Sequence, residues 1–125
     1  MKEKQFEKQV KAFLDSQEVW WLKTWSNGIQ REGVPDLLVC CNGYFIGVEL
    51  KNETGHPSAL QLWNIDEIRK ASGIAMVLYP DQFDLFKKLI SDLKDDGSKK
   101  LQHAWQVNQL IVFDREEKEE KDGNA

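Results

Sequence analysis

Three charged residues flank a predicted β-hairpin and are the strongest candidates for chemistry in this sequence. Asp36 precedes one apolar segment, and Glu49 and Lys51 end the next. Asn42-Gly43 separates the two segments, and Asn-Gly is a strong signal for a two-residue turn because both positions need positive φ. In the register that this turn sets, Asp36 lies opposite Glu49, and Lys51 projects from the same face as Glu49.

The opposed carboxylates predict a binding site for a divalent cation. Directly opposed side chains lie about 5 Å apart at Cβ, and two like charges at that distance destabilise a strand pair. A hard divalent cation removes the repulsion, since carboxylate oxygens are its preferred ligands. The alternative is that these charges mark solvent-exposed hairpin ends, with Lys51 in a surface ion pair.

The neighbouring residues favour the site over the surface ion pair. Three apolar residues share the face of Glu49: Leu38, Cys40 and Phe45. They predict a face that is largely covered, and Gly47 on the same face leaves room for close approach. An acid pair with a lysine at the rim of a covered face indicates a functional site.

The rest of the chain predicts the elements that position these residues. Apolar residues at helical spacing predict helices over 3–16, 59–72 and 82–94. Strand-like segments cover 19–25, 36–41, 44–52, 74–80 and 106–114. The order αβββαβ, followed by a further helix and strand, predicts an α/β fold with a mixed central sheet flanked by helices.

Length and composition predict one soluble domain. The 125 residues are 41% hydrophobic and 30% charged, and no apolar run approaches the length of a membrane span. The N-terminus does not resemble a signal peptide. The adjacent Cys40 and Cys41 suit neither a disulfide nor a zinc site, so we expect a reducing cytoplasm. Of the net charge of −4, the segment 114–125 supplies −3 through six acidic and three basic residues. We therefore expect a nearly neutral domain over 1–113 and a disordered acidic tail over 114–125.

The motifs of the hairpin resemble those of a known nuclease superfamily. "GVPD", followed thirteen residues after its Asp by "ELK", resembles the signature of PD-(D/E)XK nucleases, which have a restriction-endonuclease-like αβββαβ core. The pattern is most similar to the VRR (virus-type replication-repair) nuclease branch and to Holliday-junction resolvases. The likeness covers roughly residues 3–80. It includes a Glu in the first helix, a Ser and a Gln that open the next helix, and a Gly before the fourth strand.

The resemblance implies roles for the residues at the hairpin ends. Asp36 and Glu49 correspond to the ligands of Mg²⁺ or Mn²⁺, and the backbone carbonyl of Leu50 to a third ligand. Lys51 corresponds to the lysine that orients the attacking water and offsets charge in the transition state.

Two further residues correspond to the family pattern, each with an alternative. Glu7 matches the glutamate of the first helix, a ligand of a second metal or of a metal-bound water, although Glu3 one turn earlier competes for that role. Gln61 matches a glutamine that reaches into the active site. The spacing from Ser58 to Gln61 is equally that of a capping box, in which Gln61 bonds the Ser58 backbone.

The remaining expectations concern DNA and partners. The candidate DNA-contacting residues are Lys23, Arg31, His56, Arg69 and Lys70. The five tryptophans could stack on bases, but for most of them we expect a core or interface position. Resolvase-like members usually form homodimers, which implies a homodimer here.

The sequence thus favours a metal-dependent DNA endonuclease. The resemblance implies a phage or mobile-element origin and a preference for branched DNA. The alternative is a PD-(D/E)XK fold that binds nucleic acid or mediates assembly without cleavage, which the scarcity of basic residues favours. Against that alternative, a module without catalysis has no reason to retain opposed buried carboxylates.

Overall fold

The computed structural model describes residues 1–25 and 32–95. The helices are α1 (Glu3–Ser16), α2 (Ala59–Lys70) and α3 (Phe83–Asp95), and a 3₁₀ turn spans Pro80–Gln82. The strands are β1 (Trp20–Lys23), β2 (Leu37–Cys41), β3 (Tyr44–Leu50) and β4 (Ile74–Leu78). The predicted order αβββαβ and the additional helix are confirmed. The predicted strand at 106–114 and the tail at 114–125 lie outside the described residues.

The four strands form one mixed sheet in the order β1-β2-β3-β4. The first three are antiparallel to their neighbours, whereas β3 and β4 are parallel and are connected through α2. Cys41 pairs with Tyr44, and Asn42 and Gly43 have φ values of 52° and 84°. This confirms the predicted hairpin turn and its register. The architecture is compatible with a restriction-endonuclease-like core.

Helices cover both faces of the sheet. The first face packs against α1 and α3, whose inward residues are Phe6, Val10, Leu14, Phe86, Leu89, Ile90 and Leu93. The second face packs against α2 through Ile65, with Ala75, Val77 and Tyr79 from β4 and the residue after it. Within the described residues, no helix is both long enough and apolar enough to cross a membrane.

The expectation that the face of Glu49 is largely covered is wrong for half of that face. Gly47 and Glu49 are buried, but Cys40 is exposed and Phe45 is 45% exposed. The reason is topological: α2 connects β3 to its parallel neighbour β4 and contacts these two strands. The β1–β2 side of the same face therefore has no helix over it among the described residues.

The glycine of the "GVPD" motif lets the chain pass close to α2 just before β2. Gly33 has a φ of 77°, and a Cβ built on it would lie 2.6 Å from Cγ of Leu60. The backbone next to it is bound as well, because Asn64 Nδ2 donates to the carbonyl of Glu32 at 3.3 Å. This approach brings the following Pro35 into the interior, directly before Asp36.

Pro35 occupies the space that Gly47 leaves. A Cβ built on Gly47 would lie 3.1 Å from Cγ of Pro35 and 3.0 Å from Cδ1 of Ile68. The missing side chain at Gly47 therefore serves the packing of Pro35 and α2 onto the sheet. Through Pro35 it also sets the position of Asp36.

We expect Gly33→Ala to destabilise the protein by about 2–4 kcal/mol, from the strained positive φ together with the clash against Leu60. Gly43→Ala is the matched control, because Gly43 also has positive φ but a Cβ there would contact nothing within 4 Å. Gly43→Ala should lower the free energy of unfolding by only about 1–2 kcal/mol. Urea denaturation of both variants measures the difference. Equal losses would show that the approach of Gly33 to α2 contributes nothing.

Candidate functional site

Asp36 is held at the entry to β2 by three backbone contacts. Its carbonyl accepts a hydrogen bond from the backbone N–H of Thr24 at 2.9 Å. The Thr24 hydroxyl donates to the carbonyl of Pro35 at 2.8 Å. The Asp36 carboxylate itself accepts the backbone N–H of Leu50 through Oδ2 at 2.9 Å. Asp36 therefore lies against the end of β3, next to the predicted opposite residue Glu49.

Glu49 is the second-last residue of β3, and its side chain is 3% exposed. Oε1 accepts a hydrogen bond from Gln61 Nε2 at 2.9 Å and lies 3.8 Å from the ammonium of Lys51. Oε2 is buried and has no hydrogen-bond partner among the described residues. A buried carboxylate oxygen without a partner is costly, so this atom indicates a missing positive group or proton.

The protonation of Glu49 reflects this environment. Burial raises the pKa of Glu49, and Asp36 raises it further, to about 9, through its negative charge and through a side-chain hydrogen bond with Glu49. The Lys51 charge lowers the pKa but does not offset these two effects, and Glu3 adds a smaller increase. At neutral pH the metal-free site therefore keeps a proton on Glu49. A bound cation would take the place of that proton.

Gln61 satisfies both of its predicted roles at once. The side-chain Oε1 of Gln61 accepts a hydrogen bond from the backbone N–H of Ser58 at 2.8 Å. The backbone N–H of Gln61 donates to Ser58 Oγ at 3.1 Å, which completes the capping box of α2. Its Nε2 remains available and donates to Glu49. The cap fixes the amide so that its donor points at the carboxylate. The two alternatives for Gln61 therefore do not exclude each other.

Lys51 lies immediately after β3 with its ammonium beside Glu49. Its backbone N–H donates to the carbonyl of Leu78 at 3.1 Å, which extends the parallel pairing by one residue. The loop that follows packs against its side chain, since a Cβ built on Gly55 would lie 3.3 Å from Cδ of Lys51. The position of Lys51 on the same side as Glu49 agrees with the sequence prediction.

Glu7 lies near this cluster but is committed to two lysines. Its carboxylate accepts from Lys23 Nζ at 2.6 Å and from Lys11 Nζ at 2.9 Å. Burial would raise the pKa of Glu7, but the hydrogen bonds and charges of these lysines outweigh it and hold the pKa below its usual value. In α1 it is Glu3, the competing residue, whose charge acts on Glu49. The role of a metal ligand for Glu7 stays a prediction.

The residues predicted to contact DNA do not form one surface in the structure. Lys23 is paired with Glu7 and Asp36, and Lys70 with Asp66 and Glu67. Lys70 lies nine residues after Gln61, which is roughly 13 Å along α2 from the site. The remaining candidates are dispersed: His56 in the exposed β3–α2 loop, Arg69 with Nε donating to Ala75, and Arg31 outside the described residues.

The tryptophans are less buried than the sequence suggested. Trp20, Trp25 and Trp63 are 59%, 66% and 47% exposed, so of the expected core or interface positions these three do not occupy the core. Trp21 is partly buried and packs against the main core. Trp105 lies outside the described residues. A role for the exposed tryptophans at an interface or in base stacking stays a prediction.

Two residues at the site were not predicted. Thr24 ties β1 to the backbone of Pro35 and Asp36. Tyr79, which follows β4, donates its hydroxyl to the carbonyl of Gly55 at 3.0 Å and so holds the loop after Lys51. The signal for Tyr79 was present in the sequence, because residues after parallel strands meet at one edge of a sheet. Its tyrosine hydroxyl could have been placed there.

The donor set fits a magnesium-like ion better than a transition metal. The described residues contain no group of three or more His, Cys, Asp or Glu side chains that could hold a metal. They do contain two neighbouring carboxylates, Asp36 and Glu49, and the buried Oε2 of Glu49 accepts no hydrogen bond from the described residues. Mg²⁺ binds through one or two carboxylates and keeps several waters, so this sparse set is adequate. The carbonyl of Leu50 as a further ligand stays a prediction.

Comparison of the chain with protein-family models finds no matching family, and comparison with curated proteins finds no match. The resemblance to PD-(D/E)XK nucleases therefore rests on the motifs and their order along the chain.

The raised pKa of Glu49 predicts that the metal-free protein loses stability as the pH rises from about 4.5 to about 9. In this interval the folded state retains a proton on Glu49 that the unfolded state releases, so the free energy of unfolding falls with pH. Glu49→Gln stays uncharged and should lose this part of the slope. Thermal unfolding of the wild type and of the variant in EDTA, at a series of pH values across this range, measures the difference in slope. Parallel pH profiles would contradict the assignment.

Proposed function

We propose that the chain is a metal-dependent endonuclease that hydrolyses phosphodiester bonds in DNA. The observation that carries the proposal is the buried Glu49 carboxylate, with one unpartnered oxygen, next to Asp36 and Lys51. This arrangement is unfavourable in the absence of a cation and favourable with one. The spacing of the three residues on a β-hairpin agrees with the PD-(D/E)XK pattern that the motifs resemble.

Each residue has a role that follows from its contacts. Asp36 and Glu49 would hold Mg²⁺ or Mn²⁺, and a hydrogen bond from Leu50 or Gln61 orients each carboxylate. The cation, when bound, supplies Lewis-acid activation of the phosphate and of a water. Lys51 provides a fixed positive charge beside Glu49, where it can orient the attacking water and stabilise negative charge on the phosphate.

In the first helix, Glu7 and Glu3 both remain candidates for a ligand of a second metal or of a metal-bound water. Glu7 has both carboxylate oxygens bound by lysines, so its approach to a cation requires these ion pairs to open.

One observation favours the alternative of a binding or assembly module without cleavage. The lysines at positions 23 and 70 are paired with acids, which reduces the positive surface available to a DNA backbone. We prefer the nuclease because a module that does not cleave gains nothing from a buried Glu49 beside the partly exposed Asp36. Branched DNA as the substrate, a homodimer and a phage or mobile-element origin belong to the proposal through the resemblance.

We expect the wild-type protein to cut DNA in Mg²⁺ or Mn²⁺ and not in EDTA. Asp36→Asn removes a carboxylate of the cation site, and Lys51→Ala removes the positive charge beside Glu49. Each should lower the cleavage rate by at least about 100-fold. The measurement is cleavage of end-labelled duplex, single-stranded, flap and four-way-junction DNA.

The matched control is Lys88→Ala, which removes an exposed lysine of α3 and should leave cleavage unchanged. Cutting that survives Asp36→Asn would point to another site or to a contaminating nuclease. Retained junction binding with no cutting under any condition would favour the binding module.

For the homodimer we expect an interface on the uncovered face of the β1–β2 side. Trp20 and Phe45 flank the exposed Cys40 across three strands, and Leu22 on the same face is 49% exposed. Trp20→Lys should convert a dimer to a monomer in light scattering after gel filtration, because a charge there cannot be buried. Leu85→Lys, at a comparably exposed apolar residue of α3, is the control. A wild-type monomer at high concentration would reject the dimer.

A further inference from the structure

Lys23 connects the carboxylate of Glu7 in α1 to the carboxylate of Asp36 in the hairpin. Its ammonium lies 2.6 Å from Oε1 of Glu7 and 3.6 Å from Oδ1 of Asp36. The lysine is at the end of β1, opposite Leu37, and its side chain is only 22% exposed. It therefore has a fixed location with limited access to solvent.

The two oxygens of Asp36 have different partners. Oδ2 accepts the backbone N–H of Leu50, and Oδ1 faces the ammonium of Lys23. The longer distance of 3.6 Å describes a charge contact, whereas the contact to Glu7 at 2.6 Å is a short hydrogen bond. Glu7 thus holds Lys23 firmly, and Lys23 in turn places a positive charge beside Asp36.

Glu7 is itself held from its other side. Lys11, one turn further along α1, donates to Oε2 of Glu7 at 2.9 Å and lies over the ring of Trp21. Both oxygens of Glu7 are therefore engaged by lysines. With a cationic partner on each oxygen, Glu7 has the contacts of a residue that positions neighbouring lysines.

We propose that Lys23 is the resident counter-ion of Asp36 in the metal-free protein, that its hydrogen bond to Glu7 limits its approach to Asp36, and that a divalent cation binds in competition with it. The inference rests on the cation site of the proposed function and adds a determinant of its affinity. Two positive groups a few ångströms apart in a half-buried site repel each other with incomplete screening by salt. Lys23 must therefore weaken cation binding, and its hydrogen bond to Glu7 limits this effect by keeping the ammonium 3.6 Å from Asp36.

The test measures Mn²⁺ affinity, by the loss of the electron-paramagnetic signal of free Mn²⁺, in a double-mutant cycle. Lys23→Met keeps most of the side-chain volume without the charge and should bind Mn²⁺ roughly tenfold more tightly. Glu7→Gln should weaken Mn²⁺ binding severalfold, because Lys23 released from Glu7 moves onto Asp36. In the Lys23→Met background the same Glu7→Gln change should have little further effect.

The control is Lys11→Met, which removes a lysine that contacts Glu7 but has no contact with Asp36. It should alter Mn²⁺ affinity by less than about twofold, since its charge is more distant. An equal loss from Glu7→Gln in both backgrounds would identify Glu7 as a direct ligand and overturn the proposal. Unchanged or weaker Mn²⁺ binding by Lys23→Met would overturn it as well.

A measurement in EDTA separates this inference from the proposed function. Without any metal, Lys23→Met should lower the midpoint of thermal unfolding by several degrees, because Asp36 and Glu7 lose their counter-ion. The decrease in the unfolding midpoint caused by Lys23→Met should be clearly smaller when Asp36 has already been replaced by Asn. Equal losses in both backgrounds would overturn the pairing of Lys23 with Asp36. Absence of Mn²⁺ binding to the wild type, with the expected result in EDTA, would instead contradict the cation site while the pairing stands.

Discussion

The buried carboxylate of Glu49 is the constraint on which the candidate site depends. A carboxylate in the interior must be protonated, hydrogen-bonded or paired, since its ionised form loses hydration when it leaves water. Here one oxygen is bonded by Gln61, and the other has no partner within the described chain. Asp36 adds a second negative charge. The fold keeps together two carboxyl groups that repel each other when both are ionised, and such stored strain is common at functional sites.

The surrounding backbone makes this unfavourable arrangement sustainable. The Asn42-Gly43 turn sets the hairpin register, and the approach of Gly33 to α2 places the chain ahead of Asp36. These are backbone effects, so they hold the carboxylates in place whatever the protonation of the site. The capping box of α2 adds the donor of Gln61 as a by-product of starting the helix. Stability elsewhere in the sheet offsets the local repulsion.

Positive charge reaches the carboxylates from two sides of the sheet. Lys51 lies beside Glu49 on the face covered by α2, and Lys23 reaches Asp36 from β1 through its pairing with Glu7. Neither lysine bonds the unpartnered oxygen of Glu49. The two lysines therefore neutralise the carboxylates only in part, and the proposed Mg²⁺, which would keep several waters, would supply the remaining positive charge.

The sequence by itself determined the order of elements, the hairpin and the candidate residues Asp36, Glu49 and Lys51, because turn chemistry and strand alternation are local properties. Tertiary structure alone decided which carboxylate of α1 faces the lysines and which half of the sheet α2 covers. These outcomes depend on how the helices pack across the sheet, and helical spacing permits Glu3 and Glu7 equally. The local sequence likewise could not predict the contact between Lys23 and Asp36. It joins residues on separate strands whose distance is set only when β1 pairs with β2.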